Sequence, residues 1–139
     1  ANAVAYCQAT PHLVDSCLPS LGIDIDRLEE HLQRVAKVTD LGTINKETGN
    51  RISAIMPVHV FGHVGRMAEL RDLASRWRLK VVEDAAEALG SKLGNRHAGT
   101  LFGIGALSFN GNKIVTTGGG GALLFNDPEL GERAKHLTT

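Results

Sequence analysis

The sequence of 139 residues has few cysteines, no long apolar run and no net charge, and each absence excludes a class of protein. Its two cysteines, Cys7 and Cys17, form no C-x-x-C pair, and no histidine cluster has zinc spacing, so a metal site is not indicated. We interpret them as free thiols in a reducing cytoplasm. No window reaches the roughly 18 consecutive apolar residues of a membrane span, and no signal peptide or lipidation motif opens the chain. We therefore expect a soluble, cytoplasmic protein.

The charge balance and the missing motifs exclude further classes. Fifteen basic and fifteen acidic residues cancel, so nothing indicates nucleic acid or an anionic membrane as a partner. The glycines at 118–121 match neither G-x-x-x-x-G-K-[ST] nor a G-x-G-x-x-G that follows a strand, and we expect them to permit positive φ or close backbone packing. A G-x-S-x-G elbow is also absent, which removes the hydrolase interpretation.

Short apolar runs alternate with amphipathic stretches, a pattern typical of an α/β fold with a mostly parallel sheet flanked by helices. A chain of this length buries roughly 68–70% of its unfolded surface, so one domain is expected. Three helices are predicted. The first has Asp24 as its N-cap and an apolar stripe of Ile25, Leu28, Leu32 and Val35; the second has a stripe of Met67, Leu70, Leu73, Ala74 and Trp77. The third runs from Pro128 to His136. Strands are predicted at 11–15, 79–83, 106–109 and 122–125, and the extended segments 39–44 and 52–60 flank a reversing turn at 45–50.

Lys113 and Asp84 are the residues that most clearly indicate chemistry. Asp84 ends an apolar run, and Lys113 follows the next expected strand and precedes four consecutive glycines. Ligands of open α/β sheets bind outside the carboxyl ends of the strands, where we expect both residues. A lysine that forms a Schiff base must lose its proton through burial or nearby positive charge. A carboxylate can keep the pyridine nitrogen of pyridoxal phosphate protonated.

Three neighbouring residues would suit the same cofactor. Ala86 is small enough to lie flat against a ring, Ser108 could bind a phosphate, and Glu87 could reach a phenolic oxygen. The spacing alone leaves simpler interpretations open: Asp84 as a cap, Ser108 as a strand residue and Lys113 as a loop charge.

Two histidines lie four positions apart, at His59 and His63. They follow an expected strand and have Gly62 between them, so a shared helical face for a metal is not indicated. We predict a loop with hydrogen-bonded or exposed histidines.

These segments resemble the DegT/DnrJ/EryC1/StrS family of sugar aminotransferases, pyridoxal-phosphate enzymes of the aspartate aminotransferase fold (fold type I). The family's order and spacing are matched by Val58-His-Val-Phe-Gly62, Val81-Val-Glu-Asp-Ala-Ala-Glu-Ala-Leu-Gly90, Gly99-Thr100, and Ser108-Phe-Asn-Gly-Asn-Lys113 before Gly118-Gly-Gly-Gly121. Segments 85–91 and 109–117 look most like the subgroup that aminates nucleotide-linked 4-keto-6-deoxy sugars for legionaminic acid and related surface polysaccharides. Lysine at position 113 argues against the related dehydratases, which carry histidine there.

By this resemblance Lys113 is the Schiff-base lysine and proton shuttle, and the other site residues bind the cofactor, pyridoxal 5'-phosphate. Asp84 would hold the pyridine nitrogen, Ala86 would back the ring, Glu87 would sit near the phenolic oxygen, and Ser108 would bind phosphate. Many members carry glutamine where this chain has Glu87, and an ionised carboxylate beside a phenolate is unfavourable. The implied partners are a nucleotide-sugar substrate, an amino acid donor such as glutamate, and a second subunit of a homodimer.

The family's proteins are considerably longer than this chain. The resemblance therefore implies that residues 1–139 are the central part of a large domain, without the N-terminal segment and the C-terminal small domain. A rival hypothesis is a non-catalytic α/β module that keeps the site residues without complete cofactor binding. A third is an unrelated nucleotide-binding domain.

Overall fold

The computed structural model describes residues 1–138, which form helices and runs of short strands. The helices are α1 (Asn2–Tyr6), α2 (Ile25–Val35), α3 (Met67–Arg76) and α4 (Pro128–Thr138), with a 3-10 turn at Val60–Gly62. The strands are β1 (Ala36–Thr39), β2 (Gly42–Asn45), β3 (Arg51–Ile52), β4 (Ala54–Ile55), β5 (Lys80–Val81), β6 (Glu83–Asp84), β7 (Lys92–Leu93), β8 (Arg96–His97), β9 (Ile104–Ser108) and β10 (Gly121–Phe125). Within the described residues no helix has the length and apolar character needed to cross a membrane.

Helix α2 begins at the predicted cap. The Asp24 carboxylate accepts hydrogen bonds from the amides of Asp26 (3.0 Å) and Arg27 (3.1 Å). It thereby satisfies two donors that have no partner inside the helix. The apolar residues at helical spacing are buried, namely Ile25, Leu28 and Leu32. The predicted N-cap and the apolar stripe of α2 are confirmed.

Helices α2 and α3 supply most of the main core. The predicted stripe of α3 is confirmed, with Met67, Leu70, Leu73 and Ala74 buried. These side chains share one cluster with residues of α2 and with Ile55 and Val81 of strands β4 and β5. Full burial of such a side chain contributes about 1.5–3 kcal/mol, so this cluster fixes where β4 and β5 lie.

The strands that carry the candidate residues lie side by side. Strand β4 pairs in parallel with β5, and β6 pairs in parallel with β9, where Asp84 faces Ala106. A bridge between Val58 and Asp84 continues the first pairing towards the candidate site. Strand β10 adds to β9 in antiparallel orientation. The carboxyl ends of β6 and β9 therefore meet at one edge.

The sheets are mixed, and the expected predominance of parallel pairing is not what the described residues show. Parallel pairing is confined to β4–β5 and β6–β9, whereas β1–β2, β2–β3, β7–β8 and β9–β10 are antiparallel. The antiparallel neighbours follow each other along the chain without the long crossover connection that parallel neighbours need.

Residues 36–52 form a separate antiparallel sheet, in the order β1-β2-β3. The predicted turn at 45–50 is confirmed, since it joins β2 to β3. The expectation of one extended segment at 39–44 is wrong. The chain reverses between Thr39 and Gly42, and Gly42 takes a φ of 106°, which favours glycine.

The predicted strand at 11–15 is also wrong. Only Ser16 forms a β-bridge there, to Ile23. Pro11 has no amide hydrogen to donate, and no described strand lies beside 11–15 to complete a ladder. The strands predicted at 79–83, 106–109 and 122–125 are confirmed in type, as is the closing helix.

Candidate active site

Asp84 lies at the carboxyl end of β6 and is held by the neighbouring chain segment. Its amide donates to the Pro57 carbonyl (2.9 Å), and its carbonyl accepts from the His59 amide (3.0 Å). The carboxylate oxygen Oδ1 accepts the amide of Ala86 at 3.1 Å, which bends the chain into the turn that follows β6. Asp84 therefore stands at the sheet edge where the sequence predicts it.

Lys113 lies in the loop that joins β9 to β10. Phe109 closes the base of this loop, because its amide donates to the Gly120 carbonyl (2.9 Å) and its carbonyl accepts from the Thr117 amide (3.0 Å). The Lys113 side chain is 18% exposed, and its Nζ lies 3.5 Å from Oε1 of Glu87. The loop thus brings the lysine to the turn after β6, where its ion pair is with Glu87 rather than with the aspartate.

Glu87 is held from two sides. Its Oε2 accepts the backbone amide of Phe61 at 2.9 Å, while Oε1 faces the Lys113 ammonium. The Phe61 amide and then the Lys113 charge hold the pKa of Glu87 below its usual range, against a contribution from burial that raises it. Glu87 is therefore an ionised carboxylate at neutral pH in this chain.

Ala86 and Ser108 complete the set of predicted residues. Ala86 is half-buried in the turn between Asp84 and Glu87. Ser108 is the last residue of β9, and its Oγ accepts the amide of Asn110 at 3.3 Å. Ala86, just after β6, and Ser108, at the end of β9, therefore both lie at the edge formed by the carboxyl ends of these strands.

The glycine run shapes the return from the Lys113 loop into β10. Gly118 and Gly120 have φ values of 83° and 132°. A Cβ at Gly121 would lie 2.6 Å from the Leu107 carbonyl oxygen. Positive φ and close backbone approach are therefore the roles of these glycines, as the sequence predicts.

Sequence reasoning missed a buried carboxylate directly before Asp84. Glu83 is fully buried and accepts hydrogen bonds from His59 Nε2 (3.0 Å), the Gly99 amide (2.8 Å) and the Phe102 amide (2.9 Å). Burial raises its pKa, but these three donors outweigh burial and hold the pKa below the usual range. An acidic residue inside an apolar strand is the signal that could have found it, because a buried charge needs partners.

His59 and His63 lie in different environments, one buried and hydrogen-bonded and the other exposed. His59 is 1% exposed and binds Glu83, whereas His63 is exposed at the end of the Val60–Gly62 turn. The prediction of hydrogen-bonded or exposed histidines in a loop is confirmed.

The Gly99 segment packs directly against strand β9. A Cβ at Gly105 would come within 2.1 Å of the Gly99 carbonyl oxygen, and Gly99 itself has a φ of 85°. Its amide binds Glu83, so the segment ties β6 to β9 beneath the candidate site. This contact gives the Gly99-Thr100 motif a structural role that its sequence does not reveal.

The candidate residues are partly buried at the sheet edge. Two cavities, of about 380 and 190 Å³, lie elsewhere along helix α2. Their linings include His31 and Arg34 in the larger and Asp72 and Arg76 in the smaller, and none of the candidate residues.

Comparison with known proteins relates all of residues 1–139 to the DegT/DnrJ/EryC1/StrS aminotransferase family. The GDP-perosamine synthase of Caulobacter vibrioides is 39% identical over 137 residues, which cover 99% of this chain and 33% of that protein. The chain thus spans about a third of the length of that relative.

Solved structures agree in fold and in extent. A DegT DnrJ EryC1 StrS aminotransferase from Brucella abortus superposes with a TM-score of 0.82 at 32% identity, covering 95% of this chain and 33% of that one. The ntda protein of Bacillus subtilis, solved with bound cofactor PMP, gives 0.70 at 29% identity, covering 93% and 25%. These neighbours support an α/β fold. The family match over residues 1–139 removes the hypothesis of an unrelated nucleotide-binding domain. The chain belongs to the DegT/DnrJ/EryC1/StrS aminotransferase family.

Proposed function

We propose that this chain forms the central part of the large domain of a sugar aminotransferase that depends on pyridoxal phosphate, with Lys113 as the residue that bonds to the cofactor. The observation that carries the proposal is the position of the Lys113 amine. Its Nζ lies 3.5 Å from an ionised carboxylate of Glu87, beside the parallel ends of β6 and β9 where Asp84 and Ser108 also lie.

The residues at this edge fit pyridoxal phosphate in their chemistry. A primary amine can bond to an aldehyde carbon, a carboxylate can pair with a protonated pyridine nitrogen, and a hydroxyl can bind a phosphate oxygen. When bound, the cofactor supplies an electron sink for the bond changes at the substrate carbon. The family match and the PMP-bound relative support the same cofactor.

Each residue has a separate task in this proposal. Lys113 would carry the proton between Nζ and the substrate carbon. Asp84, held by the Ala86 amide, would keep a positive charge on the pyridine nitrogen, while the small Ala86 side chain would lie against the ring. Ser108 would bind phosphate. Glu87 would lie near the phenolic oxygen, which requires either the Glu87 carboxyl or the phenolic oxygen to hold a proton.

The substrate is proposed more narrowly from the sequence. Relatives such as GDP-perosamine synthase carry a nucleotide sugar in their names, which supports a nucleotide-linked sugar as the amino acceptor. We further propose a 4-keto-6-deoxy sugar of the legionaminic-acid type, destined for a surface polysaccharide. An amino acid such as glutamate would be the donor, and a homodimer would form the active enzyme.

Covalent trapping tests the role of Lys113. The chain is incubated with pyridoxal phosphate, reduced with borohydride and digested, and the pyridoxyl adduct is located by mass spectrometry. We expect the adduct mainly on Lys113, lost in Lys113→Ala and retained in Lys92→Ala, which removes an exposed lysine of β7. An adduct spread evenly over the exposed lysines would contradict the proposal and favour the non-catalytic α/β module.

A further inference from the structure

The turn Val60–Gly62 carries a backbone conformation that its own side chains do not explain. Phe61 has a φ of 51° and a ψ of 27°, in the left-handed region that non-glycine residues seldom adopt. Its ring is 74% exposed, so packing of the ring does not hold the residue there. Within this turn the Phe61 amide donates to Oε2 of Glu87 at 2.9 Å.

Two contacts hold the Val60–Gly62 turn in place, one through His59 and one through Gly62. His59, which precedes it, is buried and bonded to Glu83 at 3.0 Å, and the His59 amide donates to the carbonyl of Asp84. Gly62 packs against the segment that carries Glu87: a Cβ at Gly62 would lie 2.7 Å from Ser91 Oγ. The position of the Phe61 amide is therefore set by the same strand that presents Asp84.

Glu87 divides its two oxygens between this turn and the lysine. Oε2 is bound by the Phe61 amide, which leaves Oε1 facing Lys113 Nζ at 3.5 Å. A glutamate side chain has three rotatable bonds and many rotamers, and a backbone donor on one oxygen selects among them.

We propose that the Val60–Gly62 turn is a positioning element for Lys113: the Phe61 amide orients the Glu87 carboxylate, and that carboxylate holds the lysine ammonium at the sheet edge in the cofactor-free chain. This inference builds on the proposed function, because it assigns a role in holding Lys113 at the proposed cofactor site. Phe61, Gly62 and Glu87 act here through the lysine, as positioning residues.

The test uses Gly62→Ala and a matched control, both in the cofactor-free chain. At Gly62 a Cβ would lie 2.7 Å from Ser91 Oγ and 3.3 Å from the Glu87 carbonyl oxygen, and a φ of 79° is unfavourable for alanine, so the substitution strains the turn. Gly94→Ala is the control, because Gly94 has a φ of 60° but nothing within 4 Å of a Cβ. Carboxyl ¹³C NMR titration reports the pKa of Glu87, and timed acylation with peptide mapping reports the reactivity of Lys113.

We expect Gly62→Ala to raise the pKa of Glu87 and to speed acylation of Lys113 about two- to fivefold, as loss of a partly exposed ion pair predicts. Gly94→Ala should change neither. Glu87→Gln leaves the backbone intact and should speed Lys113 acylation by a similar factor, and adding Gly62→Ala to it should have no further effect.

Two outcomes would overturn the inference. One is an unchanged rate of Lys113 acylation in Glu87→Gln, a variant with a conservative change at a partly exposed site that should fold normally. The other is an equal effect of Gly62→Ala with and without Glu87. Neither measurement involves pyridoxal phosphate, so failure of this inference is distinguishable from failure of the proposed function.

Discussion

At the scale of single residues, Glu83 combines a buried negative charge with three hydrogen-bond donors. The donors come from His59, Gly99 and Phe102, which are distant from Glu83 in sequence. Removing the carboxylate leaves these donors buried without an acceptor, which costs more than the loss of one neutral hydrogen bond. Since Glu83 adjoins Asp84, the same contacts fix the end of β6 at which the candidate site lies.

Substitutions at Glu83 are therefore expected to destabilise the fold strongly. We predict a loss of about 3–5 kcal/mol in the free energy of unfolding for Glu83→Ala. Glu83→Gln keeps the shape and one acceptor oxygen, so its loss should be about 1–3 kcal/mol. Urea denaturation followed by circular dichroism measures both, with exposed Glu47→Gln as control. Equal stability of the Glu83 and Glu47 variants would show that the buried cluster contributes nothing.

The same carboxylate predicts an acid dependence of stability. Although burial raises the pKa of Glu83, its donors hold it below the value near 4.5 expected in the unfolded chain. A carboxyl with a lowered folded pKa stabilises the fold above the unfolded pKa, and that contribution is lost as pH falls through the folded pKa. The free energy of unfolding should therefore decrease below about pH 4.5.

Urea unfolding at several pH values checks this, and the decrease should be smaller in Glu83→Gln. Other carboxyls with lowered pKa values, Asp26, Glu69 and Glu87, are present in both proteins and cancel in the difference. An identical pH dependence in the two proteins would assign the acid sensitivity to those surface groups.

At the scale of elements, the contact between Gly99 and Gly105 determines how the 99–102 segment lies on strand β9. We predict that Gly105→Ala lowers the free energy of unfolding by about 3 kcal/mol or more, because the new Cβ overlaps backbone atoms that cannot rotate away. Gly119→Ala is the matched control, since a Cβ there meets nothing within 4 Å.

Thermal unfolding of the two glycine variants measures the difference. The melting temperature of Gly119→Ala should stay near that of the parent chain. A Gly105→Ala variant as stable as Gly119→Ala would mean that the 99–102 segment can move off β9 at little cost.

Elements could be predicted from sequence where one segment carried its own signal. Helix α2 has a cap and an apolar stripe, and both are local. The prediction of a strand at 11–15 was wrong, because an apolar run does not indicate whether a neighbouring strand exists to pair with it. The reversal before Gly42 was not predicted, because the sequence of this segment resembles one extended run although its glycine permits a turn.

In the candidate site, too, the sequence predicts some features and not others. The positions of Asp84 at the carboxyl end of β6 and of Lys113 in the loop after β9 could be predicted, because each follows a recognisable apolar run. The links from Phe61 to Glu87 and from Gly99 to Glu83 could not, since each joins backbone to side chain across long sequence separations. Such contacts follow from tertiary packing and leave no local pattern.

At the scale of the whole molecule, the strands β4, β5, β6, β9 and β10 lie side by side, and their two faces differ. Alternate residues such as Ile55 and Val81 point into the core with α2 and α3. Residues of the opposite set remain open, with Met56 50%, Val58 43% and Leu123 53% exposed. The registers place Val58, Asp84, Ala106 and Leu123 in one row across the strands. Parallel strands are ordinarily covered on both faces, so this row, which is apolar except for Asp84, is unusual surface for an isolated chain.

We therefore expect the chain by itself to self-associate through this open face as its concentration rises, because burying the apolar row removes it from water. Replacing Met56 and Leu123 together by lysine should shift sedimentation-velocity profiles towards the monomer, since each lysine makes burial of the face costly. Leu41→Lys is the control: Leu41 is 81% exposed but lies at the β1–β2 reversal, on a different sheet. If Leu41→Lys dissolved the assemblies as effectively as the double variant, general surface hydrophobicity would explain the association and the open face would have no special part in it.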